Sequence, residues 1–257
     1  MLSAVIIEYY RIRKGLENRM QKRIWELDAL RGLCVLGMVI VHLIYDLVEL
    51  YEIIEWDYPV AYEFLQQWGG VLFLLISGIS VTLGRHHIRR GLMVICGGLL
   101  CTAVTAGMYF LNFADSGILI YFGVLHCLGF CMLLWHPVRK APVWLLALLG
   151  LALTGIGLWF MTLSGAGTPW LVPFGLTPLG FRSSDYFPLL PHFGFFLLGA
   201  VLGKTVYAQK QTLLPKVNAQ NPVLRFLQGC GKQSLWIYLL HQPALSGICY
   251  LILLCVD

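Results

Sequence analysis

Charge is scarce in this chain. Only 12% of its 257 residues are Asp, Glu, Lys or Arg, about half the share of an average soluble domain. The eight cysteines form no C-x-x-C pair and no C-x-x-C…H-x3-H pattern, so a disulfide framework and a zinc site are set aside and no metal is expected. They read as small apolar residues. No internal repeat and no low-complexity segment is visible. Nor is the start expected to be a cleavable leader. Residues 1–26 carry Arg11, Arg13, Lys14, Arg19, Lys22 and Arg23, and the apolar run that follows is too long for a signal and has no small-residue cleavage site. What is abundant is apolar surface, at 58% of residues. Disorder, a nucleic-acid-binding arm and an ordinary cytosolic enzyme are excluded together. No core absorbs that much, so the remainder faces lipid.

Seven apolar stretches stand out, at about 30–50, 68–84, 91–111, 118–135, 142–164, 187–206 and 234–256, each close to the ~20 residues a transmembrane helix needs. The expected fold is all-α and integral to the membrane, a polytopic bundle of about seven transmembrane helices with a cytoplasmic N-terminus. Residues 1–26 form a basic segment and 27–257 the membrane domain. Segments 1–31, 85–90, 136–141 and 204–233 hold 17 of the 18 Lys and Arg, and only Arg182 falls on the other side. Glu49, Glu52, Glu55, Asp57, Glu63, Asp115, Asp185 and Asp257 fall opposite. By the positive-inside rule the basic segments are cytoplasmic and the C-terminus is outside, in the plasma (inner) membrane. The net charge of +5 speaks to orientation and anionic lipid rather than nucleic acid. Gly199 and Gly203 give the sixth span a small-xxx-small spacing for close helix packing.

Polar residues at membrane depth cost several kcal/mol and need a reason. The first span, ELDALRGLCVLGMVIVHLIYD, carries Asp28, Arg31, His42 and Asp46. Arg31 and His42 fall on one helical face, about 16 Å apart along the axis. Asp28 and Asp46, at i−3 and i+4 from them, share it. An arginine at the cytoplasmic mouth suits phosphate. A mid-membrane histidine beside an aspartate suits a base. His126 lies near the midplane of the fourth span. Asp185 and His192 stand near the outer face beside Pro188 and Pro191, which break the entry to the sixth. Ser234, Tyr238, His241 and Gln242 lie on the seventh. The G-R-H-H-I-R-R connector supplies Arg85, Arg89 and Arg90 on the same side as Arg31, either as an ordinary positive-inside run or as a seat for an anionic ligand. The outer loop 51–67 is acidic and aromatic and suits either a sugar or the membrane interface.

With Arg31 and His42 separated by ten residues, ELDALRG…VIVHLIYD resembles the R-x10-H signature of integral-membrane acyltransferases. FLLISGIS (Phe73–Ser80), YFGVLHCLG (Tyr121–Gly129), DYFPLLPHFGFFLLG (Asp185–Gly199) and GKQSLWIYLLHQP (Gly231–Pro243) narrow the resemblance. It points to bacterial relatives of heparan-α-glucosaminide N-acetyltransferase, from about residue 23 onward. It implies transfer of an acetyl group from cytoplasmic acetyl-CoA to a sugar across the membrane, with His42 as base or acyl carrier. The chain has fewer spans than the lysosomal enzyme and lacks its large luminal domain, so heparan itself does not carry over. The residues fit this chemistry. Arg31, with Arg85, Arg89 or Arg90, would hold the donor's phosphates. Asp46 would orient His42, and His126 would polarise the thioester oxygen. Asp28, Asp185, His192, Ser234, Tyr238, His241 and Gln242 would line the acceptor site. The expected partners are acetyl-CoA, an extracytoplasmic glycan or small acceptor, the bilayer, and a second copy of the chain in a homodimer.

Three other readings remain open on the sequence. Intramembrane His and Asp residues also serve proton-coupled transporters, although no inverted repeat is visible. Two midplane histidines could hold haem, although no helix carries the usual pair 13–14 residues apart. A structural subunit needs none of these groups.

Overall fold

The computed structural model describes residues 23–163 and 165–256. The basic segment therefore lies outside the described residues up to residue 22. Among them all regular structure is helical, with only isolated bridges at Phe122–Tyr186 and between Gly165–Ala166 and Pro178. Helix α1 is Trp25–Tyr45, continued by a wider turn over Asp46–Leu50. It is followed by α2 Val60–Leu83, α3 His87–Phe110, α4 Val124–Val138, α5 Val143–Thr162, α6 Leu189–Thr205, α7 Pro222–Lys232 and α8 Ser234–Val256. Lipid offers the backbone no partners, so an apolar run closes its hydrogen bonds on itself.

Four helices, over Trp25–Leu50, His87–Phe110, Val143–Thr162 and Ser234–Cys255, are long and apolar enough to cross a membrane. Helix α2 makes a fifth if Val60–Gln66 and Trp68–Leu83, which meet at 41°, count as one span. The other two expected stretches are helical but short, with 15 residues in α4 and 17 in α6. The reason is the chain between α5 and α6. It does not stay outside as a plain connector but folds back onto the segment before α4. Ser183 Oγ donates to Leu119 O at 2.8 Å, Ser184 Oγ to Ile118 O at 2.7 Å, and Phe187 N to Phe122 O at 2.9 Å. Non-helical backbone thus occupies length that two full spans would have used. Pro188 then caps α6, and Leu190 leaves helical geometry inside its first turn.

The outer surface is apolar, as lipid requires. Leu92, Leu99, Leu148 and Leu151 are each more than half exposed. The interior is smaller, built on Leu74, Cys127, Cys131, Leu146, Phe196, Leu197 and Ala200. All eight cysteines are free. Gly199 and Gly203 face α2, where a Cβ would run into Leu75 O and Thr82, so their spacing does serve close packing.

One end of the bundle collects the basic groups. Arg31 on α1 reaches Ser80 on α2, His87 on α3 reaches His136 on α4, and Lys204 on α6 donates to Arg139 O and Ala141 O. The loop 206–221 is tied there by Glu26, which accepts from Thr212 Oγ1 and Leu213 N, both at 2.8 Å. Helix α7 closes this end against α1. Its backbone approaches so closely that a Cβ on Gly32 would overlap Leu227 O, and one on Gly231 would overlap Asp28 O. Gly231→Ala should therefore destabilise the protein by about 1–3 kcal/mol. Gly229→Ala, with open space around it, should stabilise by about 0.5–1 kcal/mol through helix propensity. Denaturation in detergent reads both; equal effects of the two would contradict the packing.

Candidate active site

Arg31 sits where α1 packs against α2. Its Nη1 donates to Asp28 Oδ1 at 3.3 Å and its Nη2 to Ser80 Oγ at 2.7 Å. Arg23 lies 3.8 Å from Asp28, and Arg90 is within electrostatic reach of Arg31. One carboxylate among three guanidiniums leaves a net positive, partly covered mouth suited to phosphate. Asp28, expected on the acceptor side, is placed beside Arg31 as its hydrogen-bond partner. The reason is its i−3 offset on the same helix.

About 16 Å further along α1, His42 meets His241 of α8 with ring centroids 4.9 Å apart in an edge-on arrangement. His42 Nδ1 donates to Met38 O at 2.9 Å. His241 Nδ1 donates to Tyr238 O. A carbonyl can only accept, so both Nδ1 atoms carry hydrogen and each neutral ring presents a lone pair at Nε2. His241 Nε2 is buried and has no hydrogen-bond partner. The tautomer of His42 is thus set by the carbonyl four residues back, one turn up its own helix. Asp46, expected to orient the ring, makes its hydrogen bonds elsewhere. Asp46 is fully buried, and both its oxygens accept from Gln242 Nε2 at 2.9 Å. It remains within electrostatic reach of His42.

Asp185 completes this cluster from the folded-back loop. It accepts from Tyr238 OH at 2.6 Å and from Val124 N, the first turn of α4, at 3.1 Å. It too lies within electrostatic reach of His42. Gln242 Oε1 is buried and unpartnered. The cluster therefore offers an excess of acceptors: two imidazole lone pairs, two carboxylates and an amide oxygen. Over it lies the aromatic loop. Tyr62 OH donates to Val41 O at 3.2 Å, Tyr58 stacks on Tyr62 at 4.4 Å, and Tyr58 OH donates to Glu49 at 3.3 Å. Burial, and then Glu49, push the Tyr58 phenol up to about 12, so it stays a donor.

The other expected site residues fall elsewhere. His126 has the opposite tautomer: Gly123 N donates to its Nδ1 at 3.3 Å, and its Nε2 faces Thr102 Oγ1 at 3.5 Å, whose own hydrogen goes to Ile120 O. Both nitrogens are engaged in holding the start of α4. His192 Nδ1 donates to Pro188 O at 2.7 Å and its ring lies against Phe187. Ser234 opens α8 two turns short of His241, nearer the basic end. Arg85 and Arg89 line an open depression with His136 and Arg139, apart from the Arg31–Arg90 pair. Ser80, Met38 and Thr102 were not legible as partners. Ser80 alone had a signal, as the last hydroxyl of the Phe73–Ser80 stretch. Among the described residues no cluster of three or more His, Cys, Asp or Glu could hold a metal.

Gln242→Leu should leave the Asp46 carboxylate buried without donors and lower stability by about 1–3 kcal/mol. Asp46→Leu combined with it should recover most of that loss; denaturation of the two variants checks this, and no recovery would refute the pairing. No curated protein and no solved structure matches the chain. The catalytic family of heparan-alpha-glucosaminide N-acetyltransferase matches over residues 23–243, a stretch that holds Arg31, His42, Asp46, Asp185, His241 and Gln242. The chain is a membrane protein that belongs to the heparan-alpha-glucosaminide N-acetyltransferase catalytic family.

Proposed function

We propose that this protein carries an acetyl group from acetyl-CoA at its basic end to an amine or hydroxyl of an extracytoplasmic sugar, or another small acceptor, at the opposite end. In this reading all seven apolar helices count as spans, α4 and α6 with their flanking chain. The N-terminus is cytoplasmic, the C-terminus is outside, and the membrane is the plasma (inner) membrane. The observation that carries the reading is the facing pair of imidazoles. His42 and His241 each have Nδ1 pinned to a backbone carbonyl and Nε2 left for chemistry.

Arg31 and Arg90 hold the donor's phosphates, with Asp28 and Ser80 fixing the Arg31 fork. Arg85 and Arg89 face the separate depression and play no part in this step. The thioester reaches inward along α1 toward His42. The acceptor's N–H or O–H proton passes to His42 Nε2 as its heteroatom attacks the thioester carbon. The new C–N or C–O bond forms, the C–S bond breaks, and the departing thiolate takes the proton from the imidazolium. Alternatively His42 Nε2 attacks first: the N–C bond forms, the C–S bond breaks, and the thiolate leaves with the acetyl group held as an acylimidazolium, until the acceptor's heteroatom displaces the imidazole and its proton passes to the thiolate. Asp46 stabilises the imidazolium by its charge, held in place by Gln242. His241 Nε2 and Gln242 Oε1 accept hydrogen bonds from the acceptor, which must be rich in donors to satisfy them. Asp185, anchored by Tyr238, shapes the floor. His126 and His192 hold the ends of α4 and α6 around it.

His42→Ala should lower the transfer rate by about 10²–10⁴-fold. Retention of more than about a hundredth of the wild-type rate would refute a base or carrier at this position. Arg31→Ala should chiefly raise KM for acetyl-CoA. Acetyl-CoA at about 100 times its Kd should add about 2.7 kcal/mol to the stability of the purified protein. Loss of that gain in Arg31→Ala, with the His42→Ala gain intact, is the expected pattern. No gain at millimolar acetyl-CoA would refute the donor.

A further inference from the structure

We infer that the basic depression between α3 and α4 binds the phosphate ester of an anionic phospholipid headgroup, at a place separate from the Arg31 mouth. The depression has a volume of about 450 Å³ and is lined by Arg85, His86, His87, Arg89, His136 and Arg139, with Ile88 and Leu92 at its side. Among the described residues no carboxylate neutralises it. No Asp or Glu occurs between Glu63 and Asp115 or between Asp115 and Asp185, so neither helix wall nor its flanking turns can supply a carboxylate. The guanidinium groups of Arg85, Arg89 and Arg139 make no hydrogen bond or ion pair with the described residues, in contrast to Arg31. Three like charges around one cavity repel each other, and a bound anion removes that repulsion while accepting from the guanidinium forks. The walls are held at a fixed separation by the His87 Nε2–His136 Nδ1 hydrogen bond of 3.0 Å.

The shape of the opening favours a lipid over a soluble phosphate. Ile88 and Leu92 lie in the first and second turns of α3, 41% and 52% exposed. The same outward face continues through exposed Cys96 and Leu99 at helical spacing. A charged recess thus runs directly into an apolar, lipid-facing track. A free phosphate or nucleotide uses only the recess. An amphiphile with a phosphodiester head and acyl chains uses both. The recess also lies at the basic end of the bundle, where anionic headgroups meet juxtamembrane arginines.

The test uses the full chain in detergent, titrated with phosphatidylglycerol or phosphatidylcholine of identical acyl chains and read by native mass spectrometry. Wild type should retain phosphatidylglycerol at least about tenfold more tightly than phosphatidylcholine. The double variant R89Q/R139Q should lose that preference, with an unchanged melting temperature showing that it is folded. Millimolar inorganic phosphate and saturating acetyl-CoA should leave the lipid bound. Equal retention of the two lipids, or an unchanged preference in the variant, would overturn the site. Displacement by phosphate would assign the recess to a soluble anion, and displacement by acetyl-CoA to the donor; either overturns the lipid.

Discussion

One carboxylate ties together the half of the bundle that holds the facing His42 and His241 rings. Asp185 arrives on a loop with no regular structure, yet it accepts from the first turn of α4 and from Tyr238 of α8. In a low-dielectric interior an unpaired carboxylate is costly, so these donors and the positive end of α4 are what keep the loop inside. Gly123 makes the approach possible, since a Cβ there would overlap Asp185. With the loop in place, the start of α4 is fixed, His126 is engaged as a cap, and His241 is carried by the same turn of α8 that anchors Tyr238.

The same economy of partners sets the reactivity of the imidazoles. Helix α1 offers His42 a carbonyl one turn back, and α8 offers His241 a carbonyl three residues back. Each ring thereby keeps one lone pair for use. At His126 the backbone donates instead, and the lone pair is consumed. Three histidines of similar depth thus differ in their free lone pairs because of which backbone group stands beside Nδ1. Asp46 and Gln242 form a pair between α1 and α8 that places a carboxyl group near His42 without a hydrogen bond to it.

The bundle is also polarised along its length. Twelve of the thirteen Lys and Arg in the described residues sit at one end, and the acceptor-rich cluster lies toward the other. Glycines on α1 and α7 let that basic end close tightly. The arginines there divide into two kinds: Arg31 is fixed by Asp28 and Ser80, while Arg85, Arg89 and Arg139 surround an open recess.

Much of this was legible in the sequence. Helical periodicity put Asp28, Arg31, His42 and Asp46 on one face, because a helix places every third and fourth residue side by side whatever surrounds it. The scarcity of charge fixed the membrane, and the distribution of Lys and Arg marked one end. Spacing within one helix also grouped Tyr238 with His241. Sequence could not reveal which helices face each other, and so which groups pair. Asp46 with Gln242 are separated by 196 positions and Arg31 with Ser80 by 49. The burial of Asp185, the tautomer of each histidine and the division of the arginines followed from contacts between distant segments. Local pattern is dictated by the geometry of a single helix; pairing between helices is decided only when their surfaces pack and every buried polar group must find a partner.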